Sequence, residues 1–261
     1  MPRILLAAAM TVAAAVAVPT IAHGATIHQD GRSPHRLLFQ ADPGETNLVN
    51  VEGSNSVVLR DDGAPITVAN VPTCMPLDAH AASCAAVRRI ELDLGDRPDV
   101  AVIATPHEVE IEGGSGPDRY VAHANGWPSR VDFDGGIGLD VANYRFASAG
   151  VDVSVDLEAG DGRPGDRDRI RHNVERVFGS QFGDVLTGNA RTQELAGFAG
   201  DDRITGGTDM EVLSGGEGND RIDARDGAPD TIDCGGQLHD WAAVDIHAEA
   251  SITGCAEIVT E

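Results

Sequence analysis

The sequence predicts an all-β protein built as a right-handed parallel β-roll, a β-solenoid made of nonapeptide repeats. Three observations support this prediction. From Gly179 the chain repeats every nine residues, an aliphatic residue recurs at the eighth position of each repeat, and glycine is abundant at 31 residues while aromatic residues make up only 4%. A period of nine fits a short strand followed by a tight turn, and it fits no helical repeat.

The repeat is clearest between residues 179 and 233. Lines of nine read GSQFGDVLT, GNARTQELA, GFAGDDRIT, GGTDMEVLS and GGEGNDRID, followed by ARDGAPDTID with one extra residue. The aliphatic column consists of Leu186, Leu195, Ile204, Leu213, Ile222 and Ile232. We expect two nonapeptides to form one coil and the column to point inward, so that each coil buries its apolar face against its neighbours.

The turns of these repeats carry a specific motif. GGEGNDRID at 215 matches the pattern GGxGxDxUx throughout, where U is a large aliphatic residue, while GFAGDDRIT at 197 and GSQFGDVLT at 179 depart from it at glycine positions. Upstream, GGSGPDRYV at 113 and GGIGLDVAN at 135 keep the frame, with Tyr120 and Ala142 at the U position. These segments resemble the hemolysin-type calcium-binding repeat family, the RTX-like parallel β-roll.

The resemblance implies that the glycine-rich turns bind Ca²⁺. The ligand residues it implies are Asp184, Asp202 and Asp220, the turn glycines Gly179, Gly183, Gly197, Gly200, Gly215, Gly216 and Gly218, and, upstream, Asp118 and Asp140. Elementary geometry agrees, because stacked strands lie about 4.7–4.9 Å apart and calcium takes six to eight oxygens at about 2.3–2.6 Å.

The spacing of the carboxylates predicts where ions would bind. Asp184, Asp202 and Asp220 are eighteen residues apart, so they share one edge of the coil, whereas Gln193 and Glu211 fall on the opposite edge. We therefore expect calcium on one edge of this segment, with about two ions, at 184/202 and 202/220. Asp166 or Asp168 could close that edge above Asp184, or their segment could be a solvated acidic loop. For the aspartates of the repeat turns, the alternative is that they only stabilise those turns, without metal.

The net charge and residues 1–24 limit the classes of protein to which this chain can belong. The net charge is −23, from 42 acidic and 19 basic side chains, and every basic side chain is arginine. Nucleic acid is therefore an unfavourable partner. Residues 1–24 combine an early arginine, an apolar run and small residues before position 25, which predicts a cleaved secretory signal and a secreted protein. A membrane anchor is the alternative reading, and no second run of spanning length follows.

Four cysteines form two local pairs. In an exported protein, disulfides 74–84 and 234–255 are the favoured connectivity. Because His239 and His247 lie between Cys234 and Cys255, a zinc site is the alternative for the second pair.

The predicted organisation runs in five parts. Residues 1–24 are the signal, 25–45 a linker or an irregular first coil, 46–112 an N-terminal β region containing the Cys74–Cys84 loop, 113–233 the β-roll, and 234–261 a disulfide-closed cap. VDVSVDLEAG at 151 has the clearest strand alternation in the chain, and Trp241 is expected to pack within the cap.

The sequence contains no recognised catalytic motif. His107 begins HEVEI, which lacks the second histidine of a zinc-protease HExxH, and no GxSxG elbow, P-loop or dinucleotide fingerprint occurs. The leading hypothesis is a secreted, non-enzymatic calcium-binding module whose folding is coupled to the ion and whose partner is a cell-surface glycan or protein. The alternatives are a polysaccharide-active enzyme on a β-solenoid and an accessory module of a toxin or adhesin system.

Overall fold

The computed structural model describes residues 24–29, 33, 35–123, 128, 130–245 and 251–260. This part of the chain contains strands and turns but no helix. In chain order the strands are β1 Ala25–Gln29, β2 Arg36–Gln40, β3 Leu48–Glu52, β4 Ser56–Asp61, β5 Ile66–Val68, β6 Cys74–Asp78, β7 Ala81–Ala85, β8 Arg89–Asp93, β9 Val100–Ala104, β10 Glu108–Glu112, β11 Arg119–His123, β12 Arg130–Asp134 and β13 Val141–Phe146. They continue as β14 Asp152–Ser154, β15 Arg169–Ile170, β16 Arg176–Phe178, β17 Val185–Thr187, β18 Glu194–Ala199, β19 Arg203–Thr205, β20 Val212–Glu217, β21 Arg221–Ala224, β22 Thr231–Asp233, β23 Trp241–Val244, β24 Ser251–Thr253 and β25 Glu257–Thr260.

The strands form three sheets. The twelve-stranded sheet has the order β24-β22-β20-β18-β16-β13-β11-β9-β3-β4-β7-β6, the seven-stranded sheet β15-β12-β10-β8-β2-β1-β5, and the six-stranded sheet β14-β17-β19-β21-β23-β25. The two smaller sheets approach each other at an isolated parallel bridge between Asp156 and Arg171. Over most of its length the chain alternates between the twelve-stranded sheet and one of the smaller sheets, as a β-solenoid requires.

The pairing register confirms the eighteen-residue coil. Leu186 pairs with Ile204 and Ile204 with Ile222, all in parallel, while Leu195 pairs with Leu213 in the opposite sheet. Successive nonapeptides therefore lie on opposite faces of the coil, and each nonapeptide stacks on the one two repeats before it.

The predicted aliphatic column is the core of the repeat segment. All of its six members have no exposed surface, and they belong to a single buried apolar cluster that continues into the N-terminal half. Tyr120 and Ala142 occupy the equivalent inward positions upstream and are also fully buried. Burial of this kind is worth about 25 cal/mol per Å² of apolar surface, so the column is the main source of cohesion between coils.

Of the two interpretations of residues 25–45, the linker is wrong, and the irregular first coil is closer, because β2 pairs in parallel with β8. Two antiparallel strands, β1 and β2, lie there, and they bury Ile27, Leu37 and Phe39 in the core. The sequence of β2, RLLFQ, has three consecutive apolar residues and so lacks the alternation by which a strand is recognised. No architectural change occurs at residue 113 either, because β8 and β9 already stack on β10 and β11 in parallel register.

Both predicted disulfides are present. Cys74 pairs with Cys84 across the β6/β7 hairpin, at the end of the twelve-stranded sheet, and Cys234 pairs with Cys255. The second bridge joins the region after β22 to the region after β24, at the other end of the same sheet. Because its sulfurs are joined to each other, the zinc alternative for Cys234 and Cys255 does not apply.

The strand predicted from residue 151 is shorter than its alternation suggested. Val151, Val153 and Val155 are buried, as expected, but the regular strand covers only Asp152–Ser154. The following residues leave the six-stranded sheet, and Asp161 instead accepts hydrogen bonds from the amides of Ser154 and Ile170.

Candidate metal centre

Two columns of polar side chains run along the solenoid. One lies where the chain enters the six-stranded sheet, and the other lies where it enters the twelve-stranded sheet. The short ladder consists of the residues directly before four strands of the six-stranded sheet, which are Asp184, Asp202, Asp220 and Asp240. The long ladder consists of the residues directly before strands of the twelve-stranded sheet, which are Asn47, Asp99, Asp118, Asp140, Glu175, Gln193, Glu211 and Asp230.

The short ladder is joined by hydrogen bonds from backbone to side chain. The amide of Asp184 donates to Oδ1 of Asp202 at 2.8 Å, the amide of Asp202 to Oδ1 of Asp220 at 2.9 Å, and the amide of Asp220 to Oδ1 of Asp240 at 3.0 Å. Asp184, Asp202 and Asp220 therefore share one edge, as predicted. Oδ1 of Asp202, Asp220 and Asp240 thus holds the preceding coil in place without any metal.

The second oxygens differ between the ends and the middle of this ladder. At one end, Asp184 accepts from the amide and hydroxyl of Ser180 and from the amide of Val151. At the other end, Oδ2 of Asp240 accepts from the amide of Gln237 at 2.6 Å. In the middle, Oδ2 of Asp202 and Oδ2 of Asp220 are buried and receive no hydrogen bond from the described part of the chain.

Those middle oxygens face the first glycine of their own repeat. A Cβ on Gly197 would overlap Oδ2 of Asp202 and would lie 2.9 Å from the carbonyl oxygen of Gly215. A carboxylate oxygen and a carbonyl oxygen thus converge where a side chain would otherwise be. The same arrangement recurs at Gly179, beside Asp184 and the carbonyl of Gly197, and a Cβ on Gly215 would overlap Oδ2 of Asp220.

Backbone geometry alone explains why glycine occupies the other predicted turn positions. Gly200, Gly216 and Gly218 have φ angles of 116°, 113° and 139°, which disfavour any other residue. A Cβ on any of the three would also overlap the backbone of the preceding coil, and one on Gly183 would lie 2.8 Å from the carbonyl oxygen of Asp201. These glycines permit close stacking of turns whether or not an ion is bound.

The upstream pair lies on the long ladder, on the other edge from the short ladder. The amide of Asp99 donates to Oδ1 of Asp118 at 2.9 Å, and the amide of Asp118 to Oδ1 of Asp140 at 2.8 Å. Asp118 and Asp140 have no exposed surface, and Oδ2 of each receives no hydrogen bond from the described residues. Sequence reasoning missed Asp99, which stands at the sixth position of LGDRPD before a strand, because that turn has a single glycine.

Burial raises the pKa of these carboxyl groups. It raises the pKa of Asp202 and of Asp118 to about 7 and that of Asp220 and of Asp140 to about 6, and neighbouring carboxylates on the same ladder add to the effect for each. An ionised carboxylate is costly away from water unless it is compensated. The ladders therefore favour either protons or a bound cation at these positions.

Asp166 and Asp168 do not lie above Asp184, so that prediction is wrong. Asp168 points into the core, where it accepts from the hydroxyls of Tyr120 at 3.1 Å and Tyr144 at 3.3 Å and from the amide of Val131 at 2.8 Å. Asp166 instead pairs with Arg163. The position above Asp184 is held by the amide of Val151, because β14, which Val151 directly precedes, pairs with β17, which Asp184 directly precedes.

The ladders meet some of the requirements of calcium. The orphaned oxygens of Asp202, Asp220, Asp118 and Asp140, together with convergent turn carbonyls, are the hard oxygen donors that Ca²⁺ takes. The 184/202 gap fits less well, because protein donors already occupy both oxygens of Asp184. Within the described residues, the short ladder nowhere brings three acidic ligand atoms within 4.8 Å of one another.

No protein-family model matches the chain, and no curated protein matches it either. Within the described ranges, no helix has the length and apolar character needed to cross a membrane.

Proposed function

We propose that this protein is a secreted calcium-binding β-roll whose folding is coupled to Ca²⁺ and which acts as a structural or cell-surface interaction module. The observation that carries the proposal is the pair of orphaned Oδ2 atoms on Asp202 and Asp220, buried on adjacent rungs of one ladder. Buried carboxylate oxygens are rarely left without a partner in a folded protein. A cation is the partner that their charge and position favour.

The chain's own residues supply the coupling. In the unfolded chain the carboxylates are far apart, whereas folding stacks them one coil apart in a molecule of net charge −23. Calcium, when bound, supplies two positive charges between adjacent rungs. Oδ1 of Asp202 and Oδ1 of Asp220 each accept from the amide of the preceding coil, which leaves Oδ2 of both residues available. A ligand that binds only the folded state stabilises it by about 2.7 kcal/mol at a hundredfold excess over Kd.

Two features support an extracellular setting. The disulfides Cys74–Cys84 and Cys234–Cys255 are of a kind that persists in oxidising compartments. Extracellular calcium sites typically bind at about 0.1–1 mM, which suits turns with one or two carboxylates per gap. The partner of such a module would be a cell-surface glycan or protein, and the charge of −23 disfavours nucleic acid.

The test compares Asp202→Asn with Asp209→Asn by thermal melting in EGTA, calcium and magnesium. Asparagine preserves the hydrogen bond to the amide of Asp184 and removes the charge, whereas Asp209 is exposed and lies outside the short ladder. We expect calcium, but not magnesium, to raise the melting temperature of the wild type and of Asp209→Asn, and Asp202→Asn to lose at least half of that increase. Equal melting of the wild type in EGTA and in calcium would refute the proposal.

A further inference from the structure

A group of three carboxylates lies on the long ladder, on the edge opposite the motif turns of the repeat segment. One ligand oxygen each of Glu211, Asp226 and Asp230 lies within 4.8 Å of the others. Glu211 ends the turn GGTDME, and the other two belong to the next turn on this edge, DGAPD, which contains the extra residue of the last repeat. Glu211 is 1% exposed and Asp230 0%, while Asp226 is half-buried.

Each of these side chains uses one oxygen to hold the backbone. Oε1 of Glu211 accepts from the amide of Gly207 at 2.7 Å, Oδ1 of Asp226 from the amide of Ala228 at 2.6 Å, and Oδ1 of Asp230 from the amide of Glu211 at 2.9 Å. These bonds fix the three carboxylates relative to two stacked coils. The group is therefore positioned by the fold before any ligand arrives.

The remaining oxygens of two members have no donor. Oε2 of Glu211 and Oδ2 of Asp226 are buried atoms that receive no hydrogen bond from the described residues. Arg225, directly before the turn DGAPD, pairs with Asp223 at 2.7 Å. Glu211 is a buried carboxylate with an orphaned oxygen, and it lies beside two further carboxylates. This is the arrangement expected of a cation site.

Two surface clefts border the site. Glu211 lines one cleft together with Asp209 and Met210, and Asp226 lines a second cleft with Gly206 and Gly207. The orphaned oxygens themselves are buried, so the group lies just beneath the surface between the two clefts.

We propose that Glu211, Asp226 and Asp230 form a divalent-cation site of the calcium class, separate from the glycine-motif turns, that joins the turn before β20 to the turn before β22. Ligand oxygens no more than 4.8 Å apart can surround one ion at the 2.3–2.6 Å distances of calcium. Carboxylates alone, with no sulfur or nitrogen ligand, select hard cations. The extra residue in the last repeat brings Asp226 into this group.

The site is tested by counting bound calcium by isothermal titration calorimetry. The variants are Glu211→Gln and Asp226→Asn, which keep the acceptors for Gly207 and Ala228, with Glu158→Gln as an exposed control outside both ladders. We expect each of the two variants to lose one calcium equivalent relative to the wild type and to Glu158→Gln. An unchanged count in both, with native circular dichroism, would overturn the inference.

A second background separates this site from the short ladder. In the double variant Asp202→Asn, Asp220→Asn we expect calcium binding to persist. Adding Glu211→Gln to this double variant should reduce the amount of bound calcium by one equivalent. If Glu211→Gln removes nothing from that background, the inference fails even where the short-ladder proposal holds. If it removes one equivalent while the double variant itself lost none, the short-ladder proposal fails and this site stands.

Discussion

The backbone amide of Asp202 donates to Oδ1 of Asp220, the equivalent residue one coil further on, at 2.9 Å. Asp220 thus acts through two different oxygens. Oδ1 performs a structural task that needs no metal, while Oδ2 is buried against Gly215 with no hydrogen-bond donor among the described residues. The turn-stabilising and calcium-binding interpretations of these aspartates are therefore compatible, one for each oxygen.

Replacing Asp202 by asparagine should have opposite effects in the absence and presence of calcium. Without calcium at pH 8, removal of this buried ionised carboxylate should stabilise the fold by up to about 4 kcal/mol, since burial raises the pKa of Asp202 from 3.8 to about 7 and each unit of pKa shift corresponds to about 1.4 kcal/mol. With calcium in excess, the variant should be less stable than the wild type because a charged ligand is lost. Chemical denaturation in EGTA and in calcium measures both effects, and the same sign in both conditions would contradict this assignment.

The stability of the calcium-free protein should fall as pH rises from about 4 to about 7. Burial raises the pKa of Asp202 and Asp118 to about 7 in the folded state, whereas the unfolded value is about 3.9. The folded state therefore binds more protons, so its advantage is complete below the unfolded pKa and is lost as pH passes through the folded value. Other carboxylates act in the opposite sense, including Asp223, whose pKa Arg225 lowers.

Melting curves in EGTA between pH 4 and pH 8 check this dependence. Asp202→Asn combined with Asp118→Asn should flatten the decline over this range. In saturating calcium we expect the slope to reverse in the wild type, because ionised carboxylates are the form that binds the ion. A wild-type slope that calcium leaves unchanged would argue against ligation by these groups.

Gly197→Ala should destabilise the protein and weaken calcium binding together. A methyl group there would overlap Oδ2 of Asp202 and approach the carbonyl oxygen of Gly215 at 2.9 Å. Because the φ angle of Gly197 is not in the left-handed region, the effect is steric, and we expect a loss of about 1–3 kcal/mol, as for overpacking elsewhere. Gly188→Ala is the matched control, since its contacts begin at 3.1 Å. Equal losses of stability and of calcium affinity in the two variants would show that the contact of Gly197 with Oδ2 of Asp202 has no special role.

Much of the repeat segment could be predicted from the sequence because one aliphatic column and one acidic column have fixed spacing. Leu195, Ile204 and Ile222 are buried where the nonapeptide register placed them. Strands β1 and β2 could not be found in this way, because RLLFQ does not alternate and Gly, Pro and Asp interrupt residues 25–45. The group formed by Glu211 and Asp226 was also missed, since the extra residue that brings them together breaks the register on which the prediction relied.

The buried position of the Asp168 side chain could not be predicted from the sequence either. Its neighbours in sequence form an acidic, arginine-rich turn typical of surface loops, yet the side chain lies in the core between Tyr120 and Tyr144. Only the return of the chain from the six-stranded to the seven-stranded sheet places it there. Such long-range contacts leave no periodic signal.

Removing the Cys234–Cys255 disulfide should loosen the C-terminal end of the solenoid selectively. The bridge closes a separation of 21 residues beside the last coil, where β24 and β25 each have only one neighbouring strand. A loop of this length contributes about 3 kcal/mol by restricting the unfolded chain. In Cys234→Ser, Cys255→Ser we expect faster amide exchange in β22 to β25 while exchange in β9 to β13 stays unchanged. The matched variant Cys74→Ser, Cys84→Ser should show the reverse distribution at the N-terminal hairpin, and uniform acceleration in both variants would mean that the solenoid unfolds as one unit.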